Sequence, residues 1–387
     1  MDSLTHTLTG LALSQAGLNR KTRFATLALV VGANLPDVDL VTRFAGATAF
    51  LRYHRGITHS ILGVTVLGVL LAGVIYYLGR RKAPQKSGPP LDGCWLLAIC
   101  LVATSSNLLL DLTNPYGVRP FLPFSGRWYA WDIMFILDPL LLALMAVGLG
   151  VSMLLRLISE EVGARKPAFR GGALFALCSL VTLCAVRDFA HRRVLGMLDA
   201  HIYAGENPQR VGAFPSPLNP FQWTGVVETD SVFHVLPANA LGGDVDAEDT
   251  RIFRKAEPSP ALEAATNTRS ASLFLDFARF PWGQVTETEN GFSVTFQDLR
   301  YISLAPGRRG FVVEVELDKN LRVRSESLSF SGGARPGDVQ PRSEEEGRGA
   351  SVADASAGGP PNLRRSSANP TMSPTSTSEA QTKCSFR

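Results

Sequence analysis

Long uncharged apolar runs separated by short polar turns fill the chain up to residue 190, and strand-like alternation replaces them afterwards. A helix that crosses a bilayer needs about twenty apolar residues. Segments 60–79, 93–111 and 133–155 meet this requirement, and 171–190 nearly does. Two shorter runs, 4–18 and 24–36, precede them. At about 1.5 Å per residue these two are too short to cross a typical bilayer unaided. A tight hairpin partly covered by protein, or a re-entrant pair, suits them.

The pattern then changes. Residues 191–204 continue as a polar helix, and FPSPLNPFQW near 214–223 is turn-rich and irregular. WTGVVETDSVFHVL, ASLFLDFARF, GQVTETENGFSVTFQDL, RGFVVEVELD and LRVRSESLSF read as strands, and the E-N-G and D-K-N turns suit hairpins. From 331 the residues are mainly Gly, Ser, Pro, Arg and Glu, a composition too polar to offset chain entropy, and disorder is expected there. The predicted fold is a mostly α membrane domain of about six helical segments (1–190), then an extracytoplasmic helix and antiparallel β domain of four to six strands (191–330), then a disordered tail (331–387).

Composition agrees with a membrane half. The 387 residues are 45% hydrophobic and only 19% charged, against about a quarter charged in soluble domains. The net charge of +4 gives no reason to expect nucleic acid as a partner. Five cysteines lack zinc-site spacing, and those inside apolar runs read as small buried hydrophobes. The N-terminus carries its charges after the apolar stretch, the reverse of a secretory signal.

Charge position sets an orientation. Turns 19–23, 80–92 and 156–170 carry eleven Lys and Arg, whereas loops 37–59 and 112–132 carry five. The positive-inside rule places the eleven in the cytoplasm. The N-terminus, both arginine-poor loops and everything after 190 then fall outside.

The His and Asp residues of the first half, Asp92 apart, converge on that outer face together with Asn107. His6, Asp37, Asp39, His54, His59, Asn107, Asp111, Asp132 and Asp138 all fall at the outer ends of segments. Intramembrane and boundary ionisable groups are expensive and tend to be functional. Imidazole and carboxylate together suit a divalent cation such as zinc or manganese. A metal that acidifies bound water would support hydrolysis. Arg55 suits an anionic substrate group, and Asp132 or Asp138, if free of metal, suits a general base. The competing reading makes these residues helix caps and interfacial groups; Ser60 and Asp132 in particular stand where caps stand.

The motifs MDSLTHTLTG, GANLPDVD, HRGITHS, NLLLDLTNPYG and RWYAWDIMFILDP, over about residues 1–190, resemble the YdjM-like proteins of bacterial inner membranes. The PSPLNPFQW stretch looks like the soluble extension that many members have. The resemblance implies a membrane-bound metal-dependent hydrolase. It implies His6, Asp37, Asp39, His54, His59 and Asp111 as metal ligands, with Asp132 and Asp138 as further candidates. The pattern is also loosely similar to zinc-dependent phospholipase C and its nuclease relatives.

The function expected is hydrolysis of an ester, foremost a phosphoester on a lipid or envelope substrate, by a multi-pass inner-membrane protein with its site outside. The partners are the bilayer and a lipid-like or small anionic substrate. A metal transporter or sensor would use the same ligands. It would need polar residues continuing across the bilayer, and 61–78 and 139–155 hold almost none.

Overall fold

Ser3, Ile61, Gly93 and Pro139 each open a helix where a side chain satisfies a free amide of the first turn. In the computed structural model, Asp2 accepts from the amides of Leu4 and Thr5 to open α1 (Ser3–Gln15). The residues described are 1–82, 88–161, 170–243, 245, 250–302, 308–330 and 332–333. The tail expected to be disordered lies, but for Gly332 and Gly333, outside them. α2 (Ala25–Asn34) runs into a 3-10 stretch, Leu35–Ala45, with Pro36 at its start, where a missing amide hydrogen costs nothing. After α3 (Ala47–Tyr53), a 3-10 turn at Ile57–His59 leads to Ser60, whose hydroxyl caps α4 (Ile61–Arg80). Asp92 caps α5 (Gly93–Leu112) in the same way. α6 (Pro139–Glu161) and α7 (Gly171–Ala200) complete the helical domain.

Among the described residues, four stretches are long and apolar enough to cross a membrane: Ala25–Ala45, Ile61–Arg80, Gly93–Leu112 and Gly171–Ala200. α4 turns Leu62, Val66, Leu70, Val74 and Leu78 outward, which in water would be a large apolar patch and in a bilayer is the lipid-facing side. Cys94 and Cys178 are likewise exposed rather than buried; Cys100 is buried as expected.

Two boundaries differ from the sequence pattern. The run at 24–36 extends through the 3-10 stretch to 21 residues and becomes a candidate span. The run at 133–155 turns helical only at Pro139. The amides of Ile133 and Met134 donate to the Thr113 carbonyl, and Asp138 accepts from the Leu141 amide, so 133–138 is a tethered loop ending in a cap.

α1 and α2 approach closely because residue 10 is glycine: a Cβ there would stand 2.7 Å from the Leu29 carbonyl oxygen. Gly63 does the same for α4, where a Cβ would fall 1.8 Å from the Ile57 oxygen and displace the turn that carries His59.

Beyond the spans lie two four-stranded antiparallel sheets, not one sheet of four to six strands. The first joins β1 (Arg210–Pro215), β2 (Gln222–Glu228), β3 (Val232–Asn239) and β4 (Arg251–Arg254) in sequence order. It packs Trp223, Val227 and Leu236 against Ala190, Val194 and Leu198 of α7, which continues unbroken out of the helical domain. His191, at the start of the stretch read as a polar helix, is buried there against Trp223.

The second sheet follows α8 (Pro260–Thr266) and α9 (Arg269–Phe277). It orders β5 (Pro281–Thr288), β6 (Gly291–Asp298), β8 (Val312–Asp318) and β9 (Val323–Ser329), with a two-residue pair between β7 (Arg308–Arg309) and β10 (Gly332–Gly333). The β5–β6 and β8–β9 hairpins form as the turns predict. ASLFLDFARF does not form a strand. Thr268 caps it, and Ala271, Phe274 and Phe277, three apart, make one buried helical stripe.

The two layers share a core: Leu51 and Tyr116 of the helical domain pack in one cluster with Phe274, Phe277, Phe296 and Val313. The described residues accordingly belong to one compact unit.

Candidate metal centre

The cluster is built from helix ends that meet at one side of the helical domain. His6 lies one turn into α1. Asp37 and Asp39 follow α2, His54 and His59 precede α4, and Asn107 and Asp111 sit one turn apart at the end of α5. His6, His59, Asn107 and Asp111 are fully buried, and Asp39, His54 and Arg55 nearly so.

His6, Asp37 and Asp111 each offer a ligand atom, and the three atoms lie within 4.8 Å of one another. His6 Nε2 is 3.4 Å from Asp111 Oδ1 and 3.9 Å from Asp37 Oδ2. His59 Nε2 faces the same two carboxylates, 3.2 Å from Asp37 Oδ1 and 3.2 Å from Asp111 Oδ2. Asn107 donates to Asp37 Oδ2 and to the Ala33 carbonyl, fixing the Asp37 carboxylate. The Met1 amine also lies against Asp111 Oδ1.

Asp39 and His54 stand one layer out. Asp39 Oδ1 meets His54 Nδ1 at 2.8 Å. Its Oδ2 receives the Thr58 hydroxyl at 2.6 Å and the Arg55 amide at 2.9 Å, and lies 3.1 Å from His59 Nδ1. The Arg55 backbone reaches that oxygen from a left-handed conformation, φ 53°. With every oxygen occupied, Asp39 orients His59, the arrangement in which a carboxylate fixes the ring of a metal-binding histidine. Burial pushes the His54 imidazole below its ordinary pKa, against the pull of Asp39. Both residues, expected among the direct ligands, are better placed as supports.

The donor set fits a divalent cation on two grounds. Both ring nitrogens of His6 are buried without a hydrogen bond, as is Asp111 Oδ2. Such groups are costly unless something satisfies them. The three carboxylates of Asp37, Asp39 and Asp111 also gather around only the Arg55 guanidinium and the Met1 amine among the described residues, and buried charge of one sign calls for a counter-charge. Imidazole nitrogen with carboxylate oxygen is chemistry that zinc and manganese accept.

Arg55 is held more firmly than an open anion clamp. Its guanidinium donates to Asp111 Oδ1 at 2.9 Å and to Asn114 Oδ1 at 2.8 Å, leaving Nε without a partner.

Asp132 and Asp138 do not join the cluster. Asp132 forms a two-pronged pair with Arg279, at 2.8 and 2.5 Å. Asp138 caps α6 and pairs with Arg187 at 2.7 Å, both side chains fully buried. Both carboxylates, expected as candidates for a general base, are engaged by arginines away from the cluster. Asn107, Asn114 and Tyr116 are contributors that the sequence pattern did not single out as ligand-set members. NLLLDLTNPYG contains all three, so the motif itself was the available signal.

The fold thus defines a multi-pass membrane protein whose polar centre is assembled from the ends of its helices. Residues 1–193 match the family described as YdjM inner membrane protein, and 260–331 match the YfhP C-terminal alpha/beta plait domain. The uncharacterized protein YfhP of Bacillus subtilis (strain 168) is 26% identical over 337 residues, covering 84% of this chain and 94% of that relative. No solved structure matches the chain. The chain is a YdjM-like protein of the inner-membrane type.

Proposed function

We propose that the protein is a divalent-metal-dependent hydrolase of a phosphoester carried by a lipid or envelope substrate, with its site on the extracytoplasmic side. The observation that carries this reading is the buried convergence of His6, Asp37, His59 and Asp111, with His59 Nε2 3.2 Å from both carboxylates. These four residues would hold the cation, zinc or manganese, which when bound lowers the pKa of water and polarises a phosphoryl oxygen.

The chain supplies the rest. Asp39 keeps Nε2 of His59 turned inward by engaging Nδ1. Asn107 keeps Asp37 from rotating away. Arg55 holds Asp111 by Oδ1, which leaves Oδ2 turned toward His59 Nε2 and available to the cation. Arg55 offsets the carboxylate charge and contributes to anion binding through its unpartnered Nε. The low-dielectric setting strengthens each of these interactions.

A transporter reading gains nothing from the helices. The buried face of α4 is Val64, Gly68, Ala72, Ile75 and Gly79, with no ligand group leading away from the cluster. The test is metal analysis of detergent-purified full-length protein, then a screen of phosphoesters and carboxylic esters with and without chelator. Turnover of a phosphoester that chelation abolishes and metal restores is expected; turnover retained after complete chelation sinks the reading.

A further inference from the structure

We propose that the C-terminal layer completes this centre with an oxyanion subsite, in which Tyr301 joins Tyr116, Asn114 and Arg55 to bind the substrate's phosphoryl group. The inference rests on the hydrolase reading and extends it by assigning the residues that recognise the anion.

Arg55 Nε, Asn114 Nδ2, Tyr116 Oη and Tyr301 Oη are among the buried polar atoms of this region that have no hydrogen-bond partner. All four can donate a hydrogen bond. Their neighbourhood is established by direct contacts. Asn114 and Arg55 share a 2.8 Å hydrogen bond, and the Arg55 guanidinium lies 4.9 Å from the centre of the Tyr116 ring. The Tyr116 and Tyr301 rings flank the same two side chains, Phe277 at 4.8 and 6.2 Å and Phe311 at 5.9 and 4.7 Å between ring centres. Burial pushes the Tyr301 phenol up to about 12, so it stays a neutral donor.

A group of unmatched donors selects its ligand by charge. A cation or an apolar group would leave every donor unsatisfied, whereas a phosphoryl group brings several acceptor oxygens. Arg55 ties this region to the cation cluster through Asp111 Oδ1. An anion there would therefore lie beside the ligand set, as a scissile phosphoester must.

The C-terminal layer also seats the loop that carries Asn114 and Tyr116. Arg300 donates to the Pro115 carbonyl at 2.7 Å and Arg279 to the same oxygen at 3.3 Å. Tyr301 follows directly after Arg300, so the contacts that hold the loop also deliver the phenol.

The experiment uses the full-length protein in detergent with Tyr301→Phe and Tyr116→Phe, each of which keeps the ring and removes only the hydroxyl. Bound metal, melting temperature, and binding of two probes are measured: inorganic phosphate in one arm, phosphatidic acid in phosphatidylcholine nanodiscs in the other. Metal content is expected to be unchanged and the melting temperature unchanged or higher. Affinity is expected to fall by about tenfold or more in each variant, the worth of a hydrogen bond to a charged group. A fall in the phosphate arm identifies a free anion as sufficient, and a fall confined to nanodiscs identifies a lipid-borne one. Wild-type affinity in both variants, no binding of either probe to wild type, or loss of metal overturns the subsite. Weakened binding in the variants of a protein that hydrolyses no phosphoester sustains the subsite and defeats the hydrolase reading alone.

Discussion

Asp39 holds His59 from behind: its Oδ2 lies 3.1 Å from His59 Nδ1, while His59 Nε2 reaches toward Asp37 and Asp111. One ring thus joins an orienting carboxylate to the ligand set.

That division of roles separates two variants. His59→Ala removes a ligand, and loss of bound metal and of turnover is expected. Asp39→Asn leaves every ligand in place and loosens only the ring, so metal affinity should fall by roughly 10–100-fold while saturating metal restores loading. Competition with a chromogenic chelator measures both. Equal, unrescuable loss in the two would contradict the assignment.

Chelation should lower stability as well as activity. A cation that binds only the folded protein stabilises it by roughly 2.7 kcal/mol at a hundredfold excess over its Kd. The melting temperature in detergent should therefore drop on chelation and recover on titration with zinc or manganese. His6→Ala, lacking a ligand whose ring nitrogens are otherwise unpartnered, should show a much smaller drop.

Asp138 should behave as a structural residue. Removing one member of a fully buried pair strands the other, at a cost of about 3–5 kcal/mol. Asp138→Ala should destabilise the helical domain strongly. Replacing Asp138 and Arg187 together with apolar residues should recover most of the loss, and the double variant should keep its bound metal. Recovered folding without activity would return Asp138 to the catalytic set.

Gly63 tests the turn that carries His59. With the Ile57 oxygen 1.8 Å from where a Cβ would stand, Gly63→Ala must shift backbone. A loss of roughly 1–3 kcal/mol is expected. Metal affinity should fall with it, although residue 63 touches no ligand. Unchanged affinity would show that the turn tolerates the shift.

His234 gives the β domain an acid sensitivity of its own. It is buried beside Tyr203, its Nε2 has no hydrogen bond, and burial lowers its pKa below the ordinary 6.5. The folded state then binds fewer protons than the unfolded chain, so stability rises with pH. The contribution is intact above 6.5 and declines as the pH falls from 6.5 toward the folded value. His234→Phe should flatten that part of the stability profile, as thermal melts across pH 5–7 would show.

The helical half was readable because its signals are local. Twenty apolar residues announce a span, and the helix ends that bear His6, Asp37, His59 and Asp111 meet in the structure. What the sequence concealed depends on distant partners. Arg279 and Arg187, 147 and 49 positions along from Asp132 and Asp138, draw those carboxylates away from the cluster, and no spacing rule links them. The inner and outer roles of His59 and His54 depend on which way each ring faces Asp39. Arg269–Phe277 was misread because a short segment rich in Leu and Phe suits either period, and Thr268 tips it to a helix.

The shared packing of Leu51 and Tyr116 with Phe274 and Phe277 means that the two halves cannot be exchanged freely between relatives. A chimera that takes its helical part from one parent and its plait from another inherits a mismatched seam unless these four positions travel together. Across homologues, a change of ring size at 277 should be mirrored by a compensating change at 116.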